Sequence, residues 1–183
     1  MKIKNIYIQG FKSFMDRLNI QIPPGISTFV GPNGCGKSNI VDAIRWVMGE
    51  QSSKQLRGRQ MEDLIFSGTG PLKPLGIAEV SLTLENGKES HDASEISITR
   101  RLYRSGESEY LINNSTCRLK DVHDLFMGTG LGNRAYSIIA QGEIGSIIEQ
   151  RPEETRLLLE EAAGITKYKV RREASLRKIS LTK

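Results

Sequence analysis

Apolar and polar positions alternate from the first residues of the chain. Ile3, Ile6 and Ile8 predict an opening strand, and Leu18, Ile20 and Ile22 alternate with Arg17, Asn19 and Gln21 in a half-buried second one. Pro23, Pro24 and Gly25 turn the chain into "ISTFV", residues 26–30, a short apolar and β-branched run that predicts a buried strand. The period then changes. Ile40, Ala43, Ile44, Val47 and Met48 recur along one face of a helix. The polar stretch 50–63 has too many small and charged residues for a core, and predicts a surface loop with Arg57 near its tip. Val80, Leu82 and Leu84 alternate again and run into "ENG", a hairpin signal. Ile96, Ile98 and Leu102 form the next strand, "RSGES" turns and "EYLIN" returns, so this region reads as an antiparallel meander. "RLKDVHDLFMGTG" predicts a helix with Leu119, Val122, Leu125 and Phe126 inward and Gly128 past its end. A short apolar run ends at Gln141. Pro152, Glu153 and Glu154 then open a helix that passes Leu157, Leu158 and Ala162 and stops at Gly164. The remaining stretch reads as helical, with Tyr168, Leu176 and Ile179 available for contact. At under three heptads it is too short for periodicity alone to establish a coiled coil.

Length and charge sharpen this outline. The 183 residues, 38% of them apolar, suffice for one domain with a real core. No apolar run approaches a membrane span, and "MKIKNIYIQG" carries no signal-peptide pattern. The net charge of +5 is concentrated at the end of the chain: residues 164–183 hold seven basic residues and one acid, Glu173. Cys35 and Cys117 have no metal-ligand spacing, and a disulfide would clamp the glycine-rich stretch that holds Cys35, which favours a reducing, cytoplasmic setting. His91 and His123 have no ligand-like neighbours and read as surface or structural residues.

The strongest chemical signal is "GPNGCGKSN", residues 31–39, which places Gly31, Gly36, Lys37 and Ser38 at the spacing of a phosphate-binding loop. Glycines let successive backbone N–H groups turn inward onto phosphate oxygens. Lys37 supplies charge at the outer phosphates, and the Ser38 hydroxyl suits magnesium. The expected strand before it and helix after it are the context the motif requires, with the helix dipole beneath the anion. A second glycine-rich stretch, "GTGLGNRA", follows a helix and has the wrong spacing for a dinucleotide fingerprint.

Several segments together resemble a family. "GFKSF" (residues 10–14), "GPNGCGKSNIVDAIRWVMGEQ", "LRG" with "MEDLIFSG", "RRLYRSGESEYLINN", "CRLKDVHDLF", "SIIAQGEI" and "EEAAGITKYKVRR" are similar to the N-terminal half of the ATPase head of bacterial SMC (structural maintenance of chromosomes) proteins. The resemblance covers essentially the whole chain. It implies an α/β fold of the ABC type: an N-terminal lobe, residues 1–163, with a mixed or antiparallel sheet around the P-loop helix. Residues 164–183 would be the root of a coiled-coil helix. The signature motif and the acidic Walker B residues of such heads are expected on a C-terminal lobe, and this chain has no "LSGG"-like stretch.

The resemblance also implies roles. Gly31, Pro32, Asn33, Gly34, Cys35, Gly36, Lys37, Ser38 and Asn39 would wrap ATP phosphates, with Ser38 on Mg2+. Gln141 matches the Q-loop glutamine, which contacts Mg2+ or the attacking water. Lys12 and Ser13 match positions that approach the nucleotide, and Arg57 matches an arginine that reaches its phosphates, where a guanidinium could stabilise developing charge. Arg59, Arg118 and Lys120 match basic positions that face DNA. Gln60, preceded by Arg59, stands where the family often has lysine; if that position holds DNA, either Arg59 would substitute or the contact would be weaker.

The function implied is ATP-driven head dimerisation and hydrolysis in DNA entrapment or translocation, during chromosome condensation and segregation. Its partners would be the C-terminal lobe of the same head, a second head in a homodimer, a kleisin-type accessory subunit and double-stranded DNA, with no membrane. The setting would be the cytoplasm, on the nucleoid. The chain alone is expected to be inactive. An SMC-like DNA-repair ATPase and a self-contained P-loop kinase are the alternatives. The kinase would need an acceptor pocket and lid that the meander and basic tail do not suggest.

Overall fold

The computed structural model describes residues 1–85, 95–127, 138–139, 155–156, 159–160 and 163–182. The tip of the "ENG" turn, His91, Gly128, Gln141, most of the helix expected from Pro152, and Lys183 lie outside them. The chain divides into two compact units, Met1–Val122 and His123–Lys183.

The first unit is built on one antiparallel sheet. Its strands are β1 (Lys2–Gln9), β2 (Leu18–Gln21), β3 (Ile77–Glu85), β4 (Glu95–Tyr103), β5 (Ser108–Ile112) and β6 (Ser115–Cys117), in the order β2-β1-β3-β4-β5-β6. Alternation sets which face is buried. In β3, Ala78, Val80, Leu82 and Leu84 are all fully buried while the residues between them are half-exposed. The pairing register lines these positions up across the sheet: Ile20, Ile6, Leu82, Ile98 and Ile112 form one row, and Ile8, Val80, Arg100 and Tyr110 form the next. A one-residue slip would turn both rows to solvent, so the buried face fixes the register.

Helix α1 (Lys37–Val47) packs on β3 and β4, burying Ile40, Ala43, Trp46 and Val47. Its buried stripe departs from the expected one. Asp42 and Trp46 lie inside it, and Ile44 is only half-buried. Trp46 stacks at a tilt on Phe11, with ring centroids 5.2 Å apart. The polar stretch after α1 is indeed a loop with Arg57 exposed, but Leu56 anchors it in the core. A short 3-10 turn, Met61–Leu64, then leads into buried Ile65 and Phe66.

One expectation fails. Residues 26–30 form no strand, and Ile26 and Val30 are 98% and 89% exposed. The sheet order shows why: β1 lies between β2 and β3, and β2 is the edge strand. Among the described residues, 26–30 have no hydrogen-bonding neighbour, and a strand exists only through its ladder.

Arg100, by contrast, occupies a core position and is 1% exposed. Its guanidinium lies between the rings of Trp46 and Tyr110, 4.7 and 4.8 Å from their centroids. It donates to the Trp46 carbonyl at 2.9 Å and the Glu50 carbonyl at 2.7 Å. A cation thus sits at the negative end of α1.

Helix α2 (Leu119–Phe126) buries Val122 and Phe126, with Leu119 and Leu125 half-buried, as its periodicity predicts. In the second unit, α3 (Thr166–Thr182) follows Gly164, whose φ of +69° breaks the preceding helical path. Glu160 accepts from Arg156 at 3.0 Å and from Lys169 at 2.6 Å, tying the start of α3 to the chain before it. Tyr168, Leu176, Ile179 and Leu181 are exposed.

Candidate functional site

The site grows from the N-terminus of α1. Gly36 caps the helix at φ +99° without a side chain, and the first turn holds no acid. Its amide groups and the positive end of its dipole therefore face outward, as an anion site requires. Gly36 holds a left-handed φ that side chains rarely adopt, and side-chain atoms crowd both Gly36 and Gly31. A Cβ on Gly36 would lie 2.9 Å from Ser13 Oγ, and one on Gly31 2.8 Å from Cys35 Sγ. Lys37 Nζ donates to the carbonyls of Gly31 and Pro32 at 2.6 and 2.7 Å, so the ammonium is already folded over the loop. Ser38 is exposed in the first turn, beside Lys37.

Two further loops converge on this helix. Gly10 carries its chain at φ +65°, close against Ile77, and a Cβ there would meet the Ile77 oxygen at 2.2 Å. The loop after it pairs with residues 64–66: Lys12 N donates to Leu64 O at 2.7 Å, and Phe66 N to Gly10 O at 2.8 Å. This places Lys12 and Ser13 beside the loop that carries Arg57. Asn39 Nδ2 donates to Ser13 Oγ at 2.8 Å, joining the first loop to α1.

Asp42 joins all three. Its carboxylate, 7% exposed, forms ion pairs with both Lys12 and Arg57. Lys12 also donates to the Leu56 carbonyl, and Arg57 reaches Asn39 Oδ1 at 3.3 Å. Burial pushes the Lys12 ammonium down from its ordinary pKa, a pull that Asp42 opposes. Lys12, Asn39, Arg57, Gly58, Arg59 and Asp63 line a cavity of about 620 Å³. Asp63 is held below the usual carboxylate range because its oxygen accepts from the amides of Gln60 (3.0 Å) and Arg59 (2.9 Å).

The structure therefore gathers Lys12, Ser13, Lys37, Ser38, Asn39 and Arg57 at one end of α1. Gln141 lies outside the described residues. Arg59 lines the cavity, whereas Arg118 and Lys120 are exposed at the start of α2 and do not line it. Asp42 went unrecognised as a site residue in the sequence. Its only signal was an acid among the apolar positions of the "NIVDAI" helix. Among the described residues no group of His, Cys, Asp and Glu could hold a metal by itself.

Residues 2–138 match the family model described as "RecF/RecN/SMC N terminal domain". Over its full length the chain is 56% identical to the chromosome partition protein Smc of Myxococcus xanthus, and 98% of it aligns at 52% identity with that of Bacillus subtilis. It spans only 16% and 15% of those relatives. Among solved structures, one described as concerning ATP-driven dimerisation and DNA-stimulated activation of SMC ATPases aligns with a TM-score of 0.76 at 32% identity. That alignment covers 88% of this chain and 99% of the other. The Pyrococcus furiosus Smc head domain with an extended coiled coil, bound to the C-terminal domain of ScpA, aligns at 0.82 and 33% identity. It covers 98% of this chain and 46% of that one.

Proposed function

The chain belongs to the RecF/RecN/SMC N-terminal domain family, and we propose from that membership that it is the ATP-binding lobe of an SMC head. ATP-dependent dimerisation and hydrolysis by such heads would drive DNA entrapment or translocation in chromosome segregation. The observation that carries this reading is the convergence of three loops on one helix N-terminus. The glycine loop supplies amides and Lys37, the 10–14 loop supplies Lys12 and Ser13, and the loop after α1 supplies Arg57.

In this reading Gly31 to Asn39 bind the phosphates, and Lys37 exchanges the Gly31 and Pro32 carbonyls for phosphate oxygens. Ser38 would hold Mg2+ together with Gln141. The ion, when bound, neutralises charge across the outer phosphates. Arg57 adds a mobile guanidinium where charge develops during transfer. This reading assigns the signature motif and the Walker B acids to a C-terminal lobe and a second head, and hydrolysis then requires both. Exposed Ile26, Phe29 and Val30, immediately before the phosphate loop, are the surface we assign to that C-terminal lobe. Residues 1–163 would form the lobe and residues 164–183 the root of the coil. A kleisin-type subunit and double-stranded DNA, the latter met by Arg59, Arg118 and Lys120, complete the proposed assembly on the nucleoid.

The test is reconstitution. This chain alone is expected to turn over ATP negligibly and to gain activity when mixed with its matching C-terminal lobe. Robust hydrolysis by the pure chain would refute the split site.

A further inference from the structure

The buried Asp42 carboxylate has two cationic partners and no part in the chemistry described above. Lys12 Nζ, Arg57 Nε at 3.1 Å and Arg57 Nη2 all donate to the same oxygen, Oδ2. Both partners leave ordinary backbone space to reach it: Lys12 has φ +50° and Arg57 φ +58°, left-handed values that non-glycine residues rarely adopt. The partners are not equivalent. The Lys12 side chain is 12% exposed and also bonded to the Leu56 carbonyl, whereas that of Arg57 is 53% exposed. The two cations also repel one another across the shared oxygen, so each weakens the other's hold. Lys12 is the fixed partner and Arg57 the releasable one.

Asp42 lies five residues beyond Lys37, about 7.5 Å along the helix at 1.5 Å per residue. Arg57 already reaches Asn39, in the first turn of α1, at 3.3 Å and lines a cavity with it, so the swing from this carboxylate toward an anion at the N-terminus of α1 is short. We propose that Asp42 is a competing anion for Arg57: it holds the guanidinium back in the nucleotide-free lobe, and phosphate takes the guanidinium from it. This rests on the nucleotide reading above and adds its regulation. Arg57 then exchanges one anion for another on binding, so its net effect on affinity is small while it remains present for hydrolysis. Asp42 acts only through Arg57 and is a positioning residue with a negative sign: it weakens binding.

That sign separates the proposal from the alternative in which Asp42 simply braces the site. In the full-length protein, binding of magnesium AMP-PNP is measured by titration calorimetry for wild type, Asp42→Asn, Arg57→Ala and the double variant. Asp42→Asn is expected to tighten binding about three- to tenfold, the range for a half-exposed charge-assisted contact. Arg57→Ala alone should change affinity less than about twofold, and in its background Asp42→Asn should have no effect. Weaker or unchanged binding by Asp42→Asn, or tightening that persists without Arg57, overturns the proposal. Lys37→Ala runs alongside: if it binds as wild type does, the nucleotide reading itself has failed, whatever Asp42 does. Should Asp42→Asn not fold because Lys12 is left buried without an anion, Lys12→Gln with Asp42→Asn removes both charges, and the same comparison with and without Arg57 is made there.

Discussion

Arg100 is the position where one substitution should most clearly uncouple the sheet from the phosphate-binding helix. In Arg100→Met the side chain keeps an unbranched apolar stem and loses the guanidinium with its charge. Two carbonyl acceptors, on Trp46 and Glu50, and two aromatic faces lose their partner. Hydrogen bonds from a charged donor contribute about 2 kcal/mol each, and each ring face about 1 kcal/mol, giving about 6 kcal/mol. Burial opposes this. A guanidinium pKa pushed down from its ordinary value to about 10 corresponds to about 3 kcal/mol. The balance, about 3 kcal/mol, favours the native arginine. Trp46 is the only tryptophan in the chain and lies directly against the guanidinium, so its emission reports both the local change and the unfolding. With a urea slope of about 1.5 kcal/mol per molar, the midpoint should fall by about 2 M. Arg100→Lys keeps the charge but loses the planar guanidinium held between the Trp46 and Tyr110 rings, and should fall with Met rather than with wild type. A midpoint in Arg100→Met at or above that of wild type would refute the reasoning. It would mean that removing a buried charge outweighs the contacts it makes.

Other expectations are equally direct. In a reconstituted head, Arg57→Ala should lower the hydrolysis rate far more than ATP affinity; equal losses in both would mean a ground-state clamp. The Asp63 carboxylate has a folded pKa below its ordinary value. Its hold on the Arg59 and Gln60 amides should therefore be complete above about pH 4 and be lost as pH falls through the lower folded value. Amide-exchange protection at residues 59 and 60 should follow that course, and Asp63→Ala, which has no acceptor, should lack it already at neutral pH. Arg118→Glu with Lys120→Glu in the full dimer should reduce DNA-stimulated ATPase activity while ATP binding persists, and reversing Lys178 and Lys183 should do less. Salt dependence cannot distinguish these surfaces, since any phosphate contact releases counterions. The opposite ranking would place the DNA surface on the tail.

Local periodicity carried most of the fold because the sheet buries a single face. Val80, Leu82 and Leu84 announce their own strand, and the register then follows from the rows they must complete. The phosphate loop was legible for a different reason: a backbone that must turn inward favours glycine, as the positive φ values at Gly34 and Gly36 show. Arg100 and Asp42 were harder. Ile96, Ile98 and Leu102 share a face that passes through position 100, so the strand itself pointed to a buried arginine, but a charged letter suppresses that inference. Asp42 fell inside an apolar helical stripe, and its meaning depends on Lys12 and Arg57, 30 and 15 residues away in sequence. No local pattern encodes a three-way contact between a helix and two loops.

Residues 26–30 show the other limit of periodicity. An apolar, β-branched run states that a segment favours burial, and says nothing about what will cover it. Helix α1 satisfies its backbone internally and buries one stripe against β3 and β4, so its burial could be read from its own residues. A strand is different, because its N–H and C=O groups are satisfied by a neighbour. Here β2 turns away at Ile22 and the sheet continues through β1 into β3, leaving Ile26 and Val30 outside every described pairing. Their exposure is costly, at about 25 cal/mol for each Å² of apolar surface left in water. It lies against the one loop whose geometry the proposed chemistry depends on. A partner that pairs with this segment would bury those side chains and fix the entry to Gly31 in the same step. Completing the fold and completing the catalytic site would then be one event.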